Sequence, residues 1–112
     1  MRLSFGGLLL SAAVVLGTNY AQAQQRMPSI SSLWRDTEFS RDECTDRARQ
    51  AMRDNSYRRV ELIGSTTFGD RGSYQIGIRC VTDRKLFYIF GGGPEERTVQ
   101  RYIEELRDSM SR

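Results

Sequence analysis

Cys44 and Cys80 offer the most chemistry in this 112-residue chain, and their spacing decides which chemistry. Redox catalysts hold a close Cys-x-x-Cys pair at a helix start, where the thiolate is stabilised. These two are far apart, and each falls on an apolar stripe, so a structural disulfide is expected. The sequence contains no histidine, which removes the commonest general base, the commonest metal ligand and every Ser–His or Cys–His nucleophile. Asp42, Glu43 and Asp46 stand close together on a helix, but Arg47 and Arg49 interleave with them, as on a solvated face. No spacing matches a calcium loop of the form D-x-[DN]-x-[DN]-G. Gly91-Gly92-Gly93-Pro94 leads into a helix, where backbone amides attract phosphate. It lacks the lysine and Ser/Thr of a P-loop, however, and Glu95-Glu96 would repel an anion. It is read as a strand-to-helix connection. Neither a metal nor a cofactor is expected, and the chain reads as a non-enzyme, with a small hydrolase as the remote alternative.

Residues 1–23 bear on where the chain works. Arg2 follows the free amine, Leu3 to Gly17 is an apolar run, and Ala21-Gln22-Ala23 supplies the small-x-small motif of signal peptidase. The run is shorter than the roughly 20 residues of a membrane span. Cleavage is therefore expected, leaving no integral membrane segment and a periplasmic or secreted chain that starts at Gln24. An oxidising compartment favours the Cys44–Cys80 bridge. The remainder suits a single domain that buries roughly 60–65% of its unfolded surface, a size at which a covalent staple helps. The net charge of the whole chain is +3, from 17 basic and 14 acidic residues. Lys85 is the only lysine, and the signs alternate, as in Arg41-Asp42-Glu43, so nucleic acid is not the expected partner.

Residues 24–38 are polar and serine-rich, contain Pro28 and show no period, and are read as a flexible leader in which Leu33-Trp34 docks back on the domain. Residues 39–112 form a single α+β domain. Ser40-Arg41-Asp42-Glu43 is a capping box, with Phe39 and Cys44 placed as a hydrophobic staple. Cys44, Ala48, Ala51 and Met52 then repeat at helical spacing, and Asn55-Ser56 ends the helix. Val60 to Phe68 reads as one strand with Val60, Leu62, Gly64, Thr66 and Phe68 on a shared face. A loop covers Gly69 to Ser73. Tyr74, Ile76, Ile78 and Cys80 share a face of the second strand, with Leu62 opposite Cys80. After a turn at Asp83-Arg84, Leu86 to Phe90 forms the third strand. Val99, Tyr102, Ile103, Leu106 and Met110 make the stripe of a closing amphipathic helix. The order α-β-β-β-α predicts an α+β fold, a three-stranded antiparallel meander with both helices packed on one face.

That arrangement leaves the other sheet face carrying Ile63, Ser65, Gln75, Gly77, Arg79 and Val81. A two-residue turn at Asp83-Arg84 adds Leu86, Tyr88 and Phe90 to it, with Tyr88 opposite Arg79 in a cation–π pair. A three-residue turn would add Phe87 and Ile89 instead. The first register is preferred, because Tyr88 tolerates a wet surface. The resulting apolar strip is either a contact surface or the seat of the Leu33-Trp34 leader.

The pattern Cys44-x3-Ala48-x2-Ala51, then Gly72-x-Tyr74-x3-Ile78-x-Cys80, then an apolar strand ending in glycine and a closing helix, resembles small exported single-disulfide bacterial proteins. The resemblance covers about residues 40–110 and implies export, one disulfide and no assigned activity.

The functional expectation is an exported binding module that uses Ile63, Arg79, Tyr88 and Phe90 on the open face. Its partner is another exported or envelope protein, or a second copy in a homodimer. The alternative is an arginine-dependent binder of an anionic ligand or envelope polymer, using Arg58, Arg59, Arg79 and Arg84.

Overall fold

The computed structural model describes residues 28–112, so the segment read as a signal peptide lies outside the described residues. The chain forms β1 (Ser29–Asp36), α1 (Arg41–Asp54), β2 (Arg58–Ile63), β3 (Thr66–Arg71), β4 (Tyr74–Val81), β5 (Leu86–Gly93) and α2 (Glu96–Met110), with a 3-10 turn at Thr82–Arg84 before β5. The class is α+β as expected. The sheet, however, has five antiparallel strands in the order β1-β5-β4-β3-β2 rather than three.

Both extra strands have a physical cause. Gly64 adopts φ +63°, and with Ser65 it forms a two-residue hairpin that sets Ile63 opposite Thr66. A positive φ at the first loop position is what the tight hairpin turns require, and glycine supplies it without a Cβ penalty. The single strand read from Val60 to Phe68 is therefore two, β2 and β3. Since β3 lies between β2 and β4, Leu62 is opposite Thr67 and not Cys80. The loop expected over Gly69 to Ser73 shrinks to Gly72-Ser73, and Gly69 sits inside β3. The second extra strand comes from the supposed leader. Ser29–Asp36 pairs with β5 along its whole length, from Ser29–Gly93 to Asp36–Leu86. Little in this segment favours a strand locally, and it is ordered by the edge that β5 presents.

The helices follow their local signals. Ser40 Oγ accepts a hydrogen bond from the Glu43 amide at 3.2 Å, while the Glu43 carboxylate turns to Arg47 at 3.7 Å. The capping box is thus half formed. At the other end Ser56 takes φ +68°, its amide donates to Arg53 O at 3.2 Å, and Tyr57 donates to Met52 O at 3.0 Å. These are the paired closing bonds of a Schellman motif, with serine where glycine usually sits.

Both helices lie on one face, as predicted: α1 covers β2, β3 and β4, and α2 covers β1 and β5. The core between them contains Ala48, Met52, Ile76, Ile78, Ile89, Ile103 and Leu106, all buried. Cys44 and Cys80 form the expected disulfide, with their Cα atoms 6.1 Å apart. It joins the buried stripe of α1 to the central strand. The connection before β5 runs from Thr82 to Lys85 in place of a two-residue turn. Being of even length, it preserves the preferred register: Phe87 and Ile89 are buried, and Leu86, Tyr88 and Phe90 face the other way.

Candidate functional site

The site is built by cross-strand pairing, because directly opposed residues in an antiparallel sheet share a face. On the side away from the helices, Ile63, Thr66, Arg79, Tyr88 and Trp34 form one line across the sheet from β2 to β1. Beside it runs a second line of Glu61, Phe68, Gly77, Phe90 and Ser32. The residues singled out from sequence, Ile63, Arg79, Tyr88 and Phe90, are all on this face. They are brought together with one difference: Thr66 of β3 stands between Ile63 and Arg79.

Aromatic rings give the face its shape. Phe90 stacks on Tyr88, with centroids 5.7 Å apart and planes at 27°, and meets Phe68 edge-on at 6.1 Å. The ring of Phe90 reaches Phe68 by lying across Gly77, where a Cβ would come within 2.5 Å of Phe90 Cζ. Glycine at this position is thus a condition of the aromatic ladder. Both ring arrangements are geometries aromatic pairs favour. The cation–π contact expected between Arg79 and Tyr88 is not formed; the two are cross-strand neighbours, but Tyr88 stacks on Phe90 instead.

Trp34, Arg79, Val81, Leu86 and Tyr88 line an apolar hollow at one end of the face. Ile30, Phe68, Gly77, Phe90 and Gly92 contribute to a second one nearer the opposite end. Trp34 is 60% exposed, Ile63 56% and Ile30 78%. Arg79 is exposed and makes no ion pair among the described residues.

The arginines of the alternative reading do not form one cluster. Arg58 and Arg59 lie at the start of β2, while Arg79 is aligned with its far end and Arg84 lies in the turn after β4. Arg59 is committed to Asp70 at 2.6 Å.

Three residues of the face were not found in the sequence. Trp34 and Ile30 lie in the segment that reads as a leader, though their even spacing is that of one strand face. Phe68 reads as buried if Val60 to Phe68 is one strand, and the Gly64-Ser65 hairpin is the local signal that turns it to the open face.

On the helix side, Tyr57 buries its phenol without a hydrogen-bond partner, and burial pushes its pKa well above the ordinary value. Arg71 partly offsets this by attracting the phenolate, but Arg71 is engaged with Glu105 at 3.1 Å and lies over the Tyr102 ring. A phenol held this firmly in its neutral form does not act as a base near neutral pH.

No group of three or more His, Cys, Asp or Glu among the described residues is arranged to hold a metal ion. No helix among them is long and apolar enough to cross a membrane. No protein-family model matches the chain, and no curated protein is similar to it.

Proposed function

We propose that this chain is an exported, non-enzymatic binding module that holds a protein partner on its open sheet face. The observation that carries the reading is the line Trp34–Tyr88–Arg79, flanked by Phe90 and Phe68, on a face that neither helix covers. Trp, Tyr and Arg are the residue types that dominate the energy of protein interfaces. An arginine without an ionic partner among the described residues, set in an apolar row, calls for a carboxylate flanked by apolar side chains. Export rests on the pattern of residues 1–23 and on the Cys44–Cys80 bridge, which suits an oxidising compartment. The partner is accordingly sought among exported and envelope proteins.

The test is retention of an envelope-fraction protein on the immobilised oxidised chain, compared with Tyr88→Ala and Arg79→Glu. Each substitution should weaken binding by more than about 1 kcal/mol while leaving the melting temperature nearly unchanged, because both residues lie outside the core. Equal retention by wild type and both variants would refute the site. Salt separates the anionic-polymer alternative: phosphate-type binding weakens steeply between low and moderate salt, whereas an apolar protein contact does not.

A further inference from the structure

The two edges of the sheet are built differently. The β2 edge is blunted, with a register shift between Arg58 and Glu61, Arg59 at φ +52°, and Arg58, Arg59 and Glu61 along it. Bulges and charges of this kind keep an edge from pairing with another strand. Among the described residues the β1 edge has no such protection. Ser29–Asp36 runs in unbroken register against β5, contains no proline, lysine or bulge, and carries charge only at Arg35 and Asp36.

The ladder shows which groups β1 offers. Thr37 N–H donates to Lys85 O at 2.9 Å. Hydrogen-bonding direction alternates along an antiparallel strand. Arg35, Leu33 and Ser31 therefore bond towards β5, and the N–H and C=O of Trp34, Ser32 and Ile30 point away from the sheet.

The two most exposed large apolar side chains among the described residues, Ile30 at 78% and Trp34 at 60%, belong to these outward-bonding residues. They share one face and stand symmetrically about Ser32.

We propose that the free edge of β1 pairs antiparallel with the β1 edge of a second copy of this chain, with Ser32 on the two-fold axis. In that register the outward N–H and C=O groups of Ile30, Ser32 and Trp34 are all satisfied across the junction. Each Ile30 lies beside the partner's Trp34, so the two-fold axis makes two such apolar pairs. Arg35 falls opposite the partner's Ser29, and like charges do not meet. Moving the centre of symmetry by one position sets Trp34 against Ser32 and Ile30 against Asp36, which loses the apolar match. A junction along one short strand edge is small, in the range of reversible rather than permanent association. The two open faces then join into one continuous sheet surface. The pairing does not depend on any other partner binding there.

The test is sedimentation equilibrium of the oxidised protein, purified from cells carrying the full chain, from micromolar to millimolar concentration, with residue-resolved hydrogen exchange. The expected result is a concentration-dependent dimer in which the amides of Ile30, Ser32 and Trp34 become protected as the dimer forms. Ser32→Pro removes the central outward donor, at a position where an edge strand tolerates proline. Ile30→Lys removes the apolar side chain set beside the partner's Trp34, at a solvent-exposed site that cannot disturb the core. Each should raise the dimer dissociation constant roughly tenfold or more, and Tyr88→Ala should leave it unchanged. A monomer throughout the range would overturn the proposal. So would a dimer in which the β1 amides exchange freely, or one lost in Tyr88→Ala but retained in Ile30→Lys. Loss of the envelope partner in Tyr88→Ala with the dimer intact supports the proposal, because the open face and the β1 edge are then separate sites.

Discussion

Removing the disulfide is the sharpest perturbation of the fold, because its magnitude follows from the chain path. Cys44 and Cys80 are 36 residues apart in sequence. The chain-entropy relation assigns about 4 kcal/mol to closing a loop of that size in the unfolded ensemble, which native-state strain reduces. A domain of about 85 residues has a total stability of roughly 4–13 kcal/mol, so the bridge supplies a substantial share of it. Cys44→Ala/Cys80→Ala should therefore lose about 2–4 kcal/mol in urea titration. The melting temperature should fall by roughly 10–25 °C, and the urea m-value should rise as the unlinked denatured state expands. Binding on the open face should be unchanged per folded molecule, because the bridge lies between α1 and the helix side of β4. A loss below about 1 kcal/mol, with the m-value unchanged, would refute the entropic account of the staple. Undiminished free thiols in the protein purified without reductant would refute the pairing itself.

Three further outcomes follow from particular residues. Ser56→Gly should stabilise the protein by about 0.5–1 kcal/mol in thermal or urea unfolding, since Ser56 holds φ +68° where glycine is unstrained. Gly77→Ala should cost only about 0.5–1.5 kcal/mol yet weaken any binding on the face, because the added Cβ displaces the far end of the half-exposed Phe90 ring. A fluorescence or NMR probe of the Tyr88–Phe90 stack would report the change. Tyr57→Phe removes a buried hydroxyl without a partner, and should be neutral or stabilising by about 1 kcal/mol near neutral pH. Its larger effect is at alkaline pH. The buried phenol keeps its proton above about pH 10, where the unfolded chain releases it, so the group leaves stability independent of pH below that value and lowers it progressively above. The wild type should lose about 1.4 kcal/mol per pH unit there that Tyr57→Phe does not lose, read from urea midpoints against pH.

The features legible in the sequence were those written in local periodicity. The stripe Cys44, Ala48, Ala51 and Met52 and the alternation Tyr74, Ile76, Ile78 and Cys80 each identify a buried face without reference to the other, and the disulfide joins those two faces. Phe87 and Ile89 are buried for a similarly local reason: an even-length connection conserves strand parity. The Gly64-Ser65 turn lay within reach, since a glycine in a strand-like run can mark a hairpin as readily as a kink. Missing it inverted the face assigned to Thr66 and Phe68.

Local sequence determined the two helices, three of the five strands' apolar patterns and the pairing of the cysteines, because each depends on contacts that repeat every few residues. Tertiary structure alone decided that Ser29–Asp36 is a strand. Its residues have little intrinsic preference for one, and its ladder exists because β5 presents an open edge along its whole length. Tertiary structure also decided the composition of the open face. Trp34 of β1, Tyr88 of β5, Phe68 of β3 and Ile63 of β2 are distant in sequence, and they share a surface only because both helices pack on the opposite side. A face assembled across five strands is set by strand order and register, and neither is encoded in any one segment.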